Sequence, residues 1–179
     1  MDAMEMLLNR RSIRKFKNEQ IKEEELKAVL EAGMYAPSAM GLQSPFILVL
    51  QKKEDIEALY RLRIETSNNP NQPLGEPFYG APTVIVVFYT KLAMSDFLGT
   101  LDASAVTTNM LNAAYANGLG SVWMNRPKEM FESEKGKELL KKWGIKEELH
   151  GVASIALGYP DCEHPTPKPR RENYYKIIK

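Results

Sequence analysis

The sequence predicts one α+β domain over residues 1–179, helix-rich with about four short strands. Apolar residues recur at helical spacing in several segments, and β-branched runs of strand length stand between them. No internal repeat, low-complexity tract or linker divides the chain. Its 179 residues, 44% hydrophobic and 26% charged, fit one globular unit that buries roughly 68–70% of its unfolded surface.

The elements follow in order. Glu5 to Arg10 reads as a short helix with Met6 and Leu7 on its buried side. Leu26, Val29, Leu30 and Gly33 define the apolar stripe of a second helix. Glu23, Glu24 and Glu25 occupy its first turn, where the helix dipole favours negative charge, and Pro37 stops it. Ser38 to Ser44 is a small polar loop, and Phe46 to Leu50 reads as a buried strand. A third helix is expected over Glu54–Glu65 from Ile56, Leu59, Tyr60 and Leu62. Thr66 to Pro82 holds four prolines (Pro70, Pro73, Pro77, Pro82), three asparagines (Asn68, Asn69, Asn71) and two glycines (Gly75, Gly80), which is loop chemistry. A loop of that length in a compact domain is expected to be functional or mobile.

Thr83–Tyr89 is apolar on both faces and is expected at the centre of a sheet. Asp102–Asn117 has almost no charged face, so it predicts a helix buried all round, against the core or a second subunit, with Asp102 as N-cap and Gly118 as stop. Gly120–Met124 reads as a strand, Glu129–Trp143 as one amphipathic surface helix, and Val152–Leu157 as the last strand. From Gly158 the tail carries four prolines and an arginine pair, then Tyr174, Tyr175, Ile177 and Ile178.

Charge and motif content narrow the function. Lys plus Arg is 24 and Asp plus Glu is 23, a net charge of +1, so no global attraction to nucleic acid or anionic lipid is expected. The apolar runs fall well short of the ~18 residues that cross a bilayer, so no membrane partner is expected. Cys162 is the one cysteine and no secretory pattern opens the chain, so a reducing cytoplasm is expected. Gly118-Leu119-Gly120 opens like a dinucleotide fingerprint, but Trp123 replaces the third glycine and a strand follows, so that reading is rejected. His150 and His164 are isolated, and Cys162 with His164 lacks further ligands for a metal, so none is expected.

Two basic segments remain. Arg10, Arg11, Arg14, Lys15 and Lys17 fall within eight residues around Ser12. They read either as a solvated charge run or as an anion site, since arginine forks and a hydroxyl match phosphate oxygens. Lys168, Arg170 and Arg171 sit among prolines that stiffen the backbone, a second anion-binding candidate.

Four segments together resemble the FMN-dependent nitroreductase family. They are Arg10–Phe16, Ala36–Pro45, Ala113–Trp123, and Leu157–Pro160 followed by Lys168-Pro169-Arg170, in the family's order across nearly the whole chain. The resemblance implies a central, mostly antiparallel sheet of about four to five strands surrounded by helices, in a homodimer that binds FMN non-covalently at its interface. It implies that Arg10, Arg11, Ser12 and Arg14 form the phosphate and ribityl site, with Lys168 and Arg170 as a second wall. Pro37, Ser38, Ala39, Met40 and Gln43 would reach the cofactor from the partner subunit, and Ser121, Val122, Trp123 and Met124 would lie along the ring edge. Trp123 is equally readable as a core aromatic.

The implied reaction is NAD(P)H-dependent two-electron reduction of nitroaromatic, quinone or similar flat small-molecule acceptors by a ping-pong scheme. The flavin carries the hydride, so no catalytic side chain is expected. The alternatives are a flavin-storing or flavin-sensing protein without turnover, and a nucleic-acid binder using Arg10–Lys17, which the near-zero net charge opposes. Larger family members often carry Asn and Lys after the third helix, where this chain has its Asn/Pro-rich loop. Asn125-Arg126-Pro127 replaces a glycine-rich continuation, so Arg126 is expected to enter the site.

Overall fold

A computed structural model describes residues 2–67 and 75–179. Six helices surround one four-stranded sheet among these residues. The helices are α1 (Ala3–Asn9), α2 (Glu23–Met34), α3 (Lys53–Glu65), α4 (Asp96–Ala116), α5 (Pro127–Glu132) and α6 (Glu134–Lys142). The strands are β1 (Pro45–Leu50), β2 (Thr83–Thr90), β3 (Gly120–Met124) and β4 (Leu149–Gly158). Their order across the sheet is β1-β2-β4-β3, and every neighbouring pair is antiparallel.

The alternation of β2 divides the core. Val84, Val86 and Phe88 face α3, α5 and α6, while Ile85 and Val87 face α4 and α2. Side chains on a strand alternate between faces, so an unbroken apolar run belongs where both faces are covered. All five of these residues have zero exposure, which bears out the central position expected for this strand. Below the sheet, Ile56, Leu59, Leu62, Met130, Phe131 and Leu140 close one layer, and Phe88 meets Phe131 edge to face at 4.8 Å. Above it, Val29 of α2 and Val106, Met110 and Leu111 of α4 close the other, and Asn109 Nδ2 donates to the Ala32 carbonyl at 3.1 Å. No helix among the described residues is long and apolar enough to cross a membrane.

Several expectations change. The segment expected as a buried strand is β1, an edge strand whose residues are half-buried except Leu50. Helix α1 buries none of its residues, and Leu7, expected inside, is exposed. Helix α4 starts earlier than expected: Ser95 is its N-cap, accepting the Leu98 N–H at 3.2 Å, and Asp102 lies inside the helix, buried. The single helix expected over Glu129–Trp143 is two, because the chain turns at Ser133. Its hydroxyl donates to the Met130 carbonyl at 2.6 Å and accepts the Gly136 N–H at 3.1 Å, closing α5 and capping α6. In the Thr66–Pro82 connection, Pro77–Gly80 forms a 3-10 turn that buries Phe78. Residues 68–74 of that connection, which was expected to be functional or mobile as a whole, lie outside the described residues.

The α5–α6 corner depends on Gly136, where an added Cβ would fall 2.1 Å from the Met130 carbonyl oxygen. Backbone at that distance has no rotamer with which to yield. The Gly136→Ala variant is expected to lose about 1–3 kcal/mol, as overpacking costs, lowering Tm by about 2–4 °C per kcal/mol in a chain of this size. Differential scanning calorimetry checks this, and an unchanged Tm would contradict it.

Candidate functional site

The outer edge of β3 positions the first candidate group. Ser12 pairs with Ser121 as a parallel bridge, the Ile13 N–H donates to the Ser121 carbonyl at 3.0 Å, and Ile13 is buried. Further along, the Lys17 N–H donates to the Tyr159 carbonyl at 2.9 Å and the Asp161 N–H to the Lys15 carbonyl at 3.0 Å. Residues 12–17 therefore run as an added strip along the sheet and the start of the tail, with Lys15 ion-paired to Asp161 at 2.9 Å. The fold thus brings Arg10, Arg11, Ser12 and Arg14 beside Ser121–Met124, residues about 110 positions away along the chain.

This edge carries cationic and polar groups that the chain leaves unanswered. Arg10 is half-buried, and its pKa is lowered by desolvation and by the neighbouring Arg11 guanidinium. One Arg11 Nη donates to the Arg10 carbonyl at 2.7 Å, but among the described residues its buried Nε has no partner, and neither has the buried Ser121 hydroxyl. Among the described residues every ion pair uses lysine, so Arg10, Arg11 and Arg14 have no carboxylate partner. Val122 and Met124 point into the lower core, leaving their backbone at the strand. Trp123 is half-buried against the upper core and donates its indole N–H to Asn125 Oδ1 at 2.8 Å, so it is both a packing residue and a partly accessible one.

The second group is the loop between α2 and β1. Pro37, Met40 and Gln43 are exposed, Ser38 and Ala39 half-buried, and Met40, Gly41 and Gln43 adopt positive φ of 53°, 68° and 50°. Ser38 Oγ accepts the Gln43 N–H at 3.0 Å. Asp102 reaches this loop from α4: Oδ1 accepts the Ala39 N–H and Oδ2 the Ser44 hydroxyl, both at 2.9 Å. The sequence reading missed this role. The available signal was a lone acid within the otherwise uncharged Leu101–Met110 stretch. Among the described residues, no hydrogen bond or ion pair joins this loop to Arg10, Arg11, Ser12 or Arg14 of the same chain.

The remaining expected residues separate. Lys168 and Arg170 are exposed on the tail. The tail folds back toward α1, where His164 Nε2 is 2.7 Å from the Asn9 carbonyl and its ring is 5.4 Å from that of Tyr115. Arg126, expected in the site, has a φ of 95° and donates to the Thr66 carbonyl, which directs it to the start of the 66–82 connection. Cys162 is exposed, and among the described residues no group of three or more His, Cys, Asp or Glu could hold a metal ion.

A sheet flanked on both faces by helices, with a basic strip on its β3 edge and a strained loop at the end of α2, defines the class. The nitroreductase family model matches residues 7–159, and the chain belongs to the nitroreductase family. A protein of Archaeoglobus fulgidus named "Putative NADH dehydrogenase/NAD(P)H nitroreductase" is 30% identical over 164 residues, covering 90% of this chain and 87% of that one. The crystal structure of a nitroreductase with bound FMN from Bacteroides fragilis superposes with a TM-score of 0.89 over 100% of both chains at 23% identity, which shows the shared fold. A crystal structure described as "a putative nitroreductase in complex with fmn" from Desulfovibrio desulfuricans has a TM-score of 0.75 and 26% identity, covering 98% of this chain and 97% of that one.

Glu25 ties the site's scaffold together. Its carboxylate accepts the Tyr159 hydroxyl at 2.6 Å and the Lys22 N–H at 2.9 Å. The Tyr159 bond, first, lowers its pKa below the ordinary 4.5. A lowered carboxylate pKa contributes stability that is complete above 4.5 and is lost as pH falls through the folded-state value. Glu25→Gln is therefore expected to flatten the decline of Tm on the acid side of pH 4.5, read by thermal melts from pH 3 to 7. An acid limb identical to wild type would contradict the assignment.

Proposed function

We propose that this chain binds FMN non-covalently and acts as an NAD(P)H-dependent oxidoreductase, delivering two electrons to flat small-molecule acceptors such as nitroaromatics or quinones. The observation that carries the reading is the unanswered polarity of the β3 edge: a half-buried Arg10, a buried Arg11 Nε and a buried Ser121 hydroxyl, with no anion among the described residues to meet them. A flavin phosphate of about −1.5 to −2 charge and its ribityl oxygens have the chemistry these groups lack. The residues present fit the cofactor. Relatives named as NAD(P)H nitroreductase and NADPH-dependent oxidoreductase support the nucleotide half of the reading.

Bound FMN supplies the hydride transfer itself, so the chain's tasks are binding, orientation and shielding. Arg10, Arg11, Ser12 and Arg14 hold the phosphate and neutralise it, and Lys168 and Arg170 add cations from the tail. The backbone of Ser121–Met124 and the Trp123 indole, fixed by Asn125, form the wall beside the ring. Pro37, Ser38, Ala39, Met40 and Gln43 complete the site from a second copy of the chain. Exposed apolar residues support that homodimer: Met4 and Leu8 of α1, Tyr35 and Met40 after α2, and Phe97 and Leu101 of α4 are all at least half exposed. Where such residues adjoin in one patch they mark an interaction surface.

Two outcomes test the reading. Arg10→Ala and Arg170→Ala are each expected to weaken FMN binding roughly ten- to a hundredfold, the scale of a hydrogen bond to a charged group, in a fluorescence titration. Unchanged affinity in both would return these residues to an ordinary solvated charge run. Anaerobic stopped-flow mixing of the FMN-loaded protein with NADH or NADPH, without acceptor, is expected to bleach the flavin absorbance. Failure to bleach with either nucleotide would leave a flavin-binding protein without reductase activity.

A further inference from the structure

Asp102 is a carboxylate placed where carboxylates are costly. It lies within α4, the helix that packs on α2 and the sheet, with 6% of its surface exposed. A buried acid persists only when its oxygens are met by donors. Among the described residues its partners are hydrogen-bond donors from the 38–44 segment and no cation: the Ala39 N–H on one oxygen and the Ser44 hydroxyl on the other. Ser44 is itself fully buried, and its carbonyl accepts both the N–H and the hydroxyl of Thr90, at 2.9 and 3.1 Å.

The two bonds grip the loop at both ends. Between them the backbone takes left-handed conformations at Met40 and Gln43, neither of them glycine. Such residues persist only where the surroundings over-determine them. Within the loop only the Gln43 N–H to Ser38 Oγ bond and the tight turn at Ala39–Gly41 oppose relaxation. Thr90 holds the far end of the loop at the Ser44 carbonyl, and among the described residues the side chain that reaches its middle, at the Ala39 N–H, is Asp102.

We propose that Asp102 is the positioning residue of the flavin-facing loop, holding Ser38–Gln43 in its binding conformation before the cofactor arrives. The proposal rests on the FMN reading above. Asp102 touches neither cofactor nor substrate and acts through the Ala39 N–H and Ser44. A loop fixed in advance loses less conformational freedom on binding, so affinity is the quantity that Asp102 sets.

The test uses the full-length protein as wild type, Asp102→Ala, Asp102→Asn, Ser44→Ala and Arg10→Ala. Two readouts are taken: amide hydrogen exchange at Ala39–Gln43 without flavin, and the FMN dissociation constant. Asp102→Ala is expected to speed exchange at Ala39 at least tenfold and to raise the dissociation constant about tenfold, with altered visible circular dichroism of the bound flavin. Asp102→Asn keeps an acceptor for the Ala39 N–H and can donate to Ser44, so it is expected to recover most of both. Ser44→Ala is expected to lie between them, and it tests the anchor if Asp102→Ala does not fold. Arg10→Ala is expected to weaken FMN binding while leaving Ala39 exchange at the wild-type rate. Wild-type exchange in Asp102→Ala or Ser44→Ala, or faster exchange with unchanged FMN affinity, overturns the proposal alone. A wild-type protein that binds no FMN overturns the functional reading and the proposal with it.

Discussion

The bridge between Ser12 and Ser121 is the contact on which the rest of the site depends. An antiparallel sheet ends in strands whose outer N–H and C=O groups need partners. At β3 the chain answers with its own N-terminal segment, and burial of Ile13 and Phe16 holds that segment down. Arg10 and Arg11, just before Ser12, are held half-buried by it, while Arg14 on the far side stays exposed. Sealing a sheet edge and concentrating positive charge are one event, and the charge of Arg10 and Arg11 is left partly desolvated. Phe16 pairs with Pro160 in the same run, so the start of the tail is set by the same strip.

Helix α4 imposes the second constraint. It is apolar on nearly every side because it packs on α2 and on all four strands of the sheet and still leaves Phe97 and Leu101 outward. Its first turns pass so close to β2 that a Cβ at Gly99 would fall 2.5 Å from the Tyr89 ring. The same burial pushes the Tyr89 pKa up to about 12, with Asp96 adding to it. A helix committed to so many neighbours is a rigid base, and the loop hung from Asp102 inherits that rigidity. Among the described residues no hydrogen bond or ion pair links the loop to the basic strip within one chain, which is the reason for proposing that a second copy completes the site.

What was legible in the sequence follows contact range. Strand β2 announced itself because a β-branched apolar run admits few other readings, and α3 did so through its 3.6-residue spacing. The start of α4 was missed because Gly99 and Thr100 look like loop residues, and the steric reason for Gly99 lies on β2. Asp102 was taken for a cap because an acid ahead of an apolar run is a common helix start; its partners lie 58 and 63 positions away. The α5–α6 break had a local signal in Ser133 and Gly136, outweighed by continuous amphipathic spacing. The basic cluster was visible as composition. Its pairing with Ser121, which turns a charge run into a candidate site, was not.

The central claim is that the cofactor site exists only between two copies of the chain. Sedimentation velocity of the FMN-loaded protein, followed at flavin absorbance and at protein absorbance over a range of concentrations, tests it directly. The account predicts that bound flavin sediments only with the dimer, at one FMN per chain, and is released as dilution produces monomer. Flavin that sediments stoichiometrically with a folded monomer would contradict it.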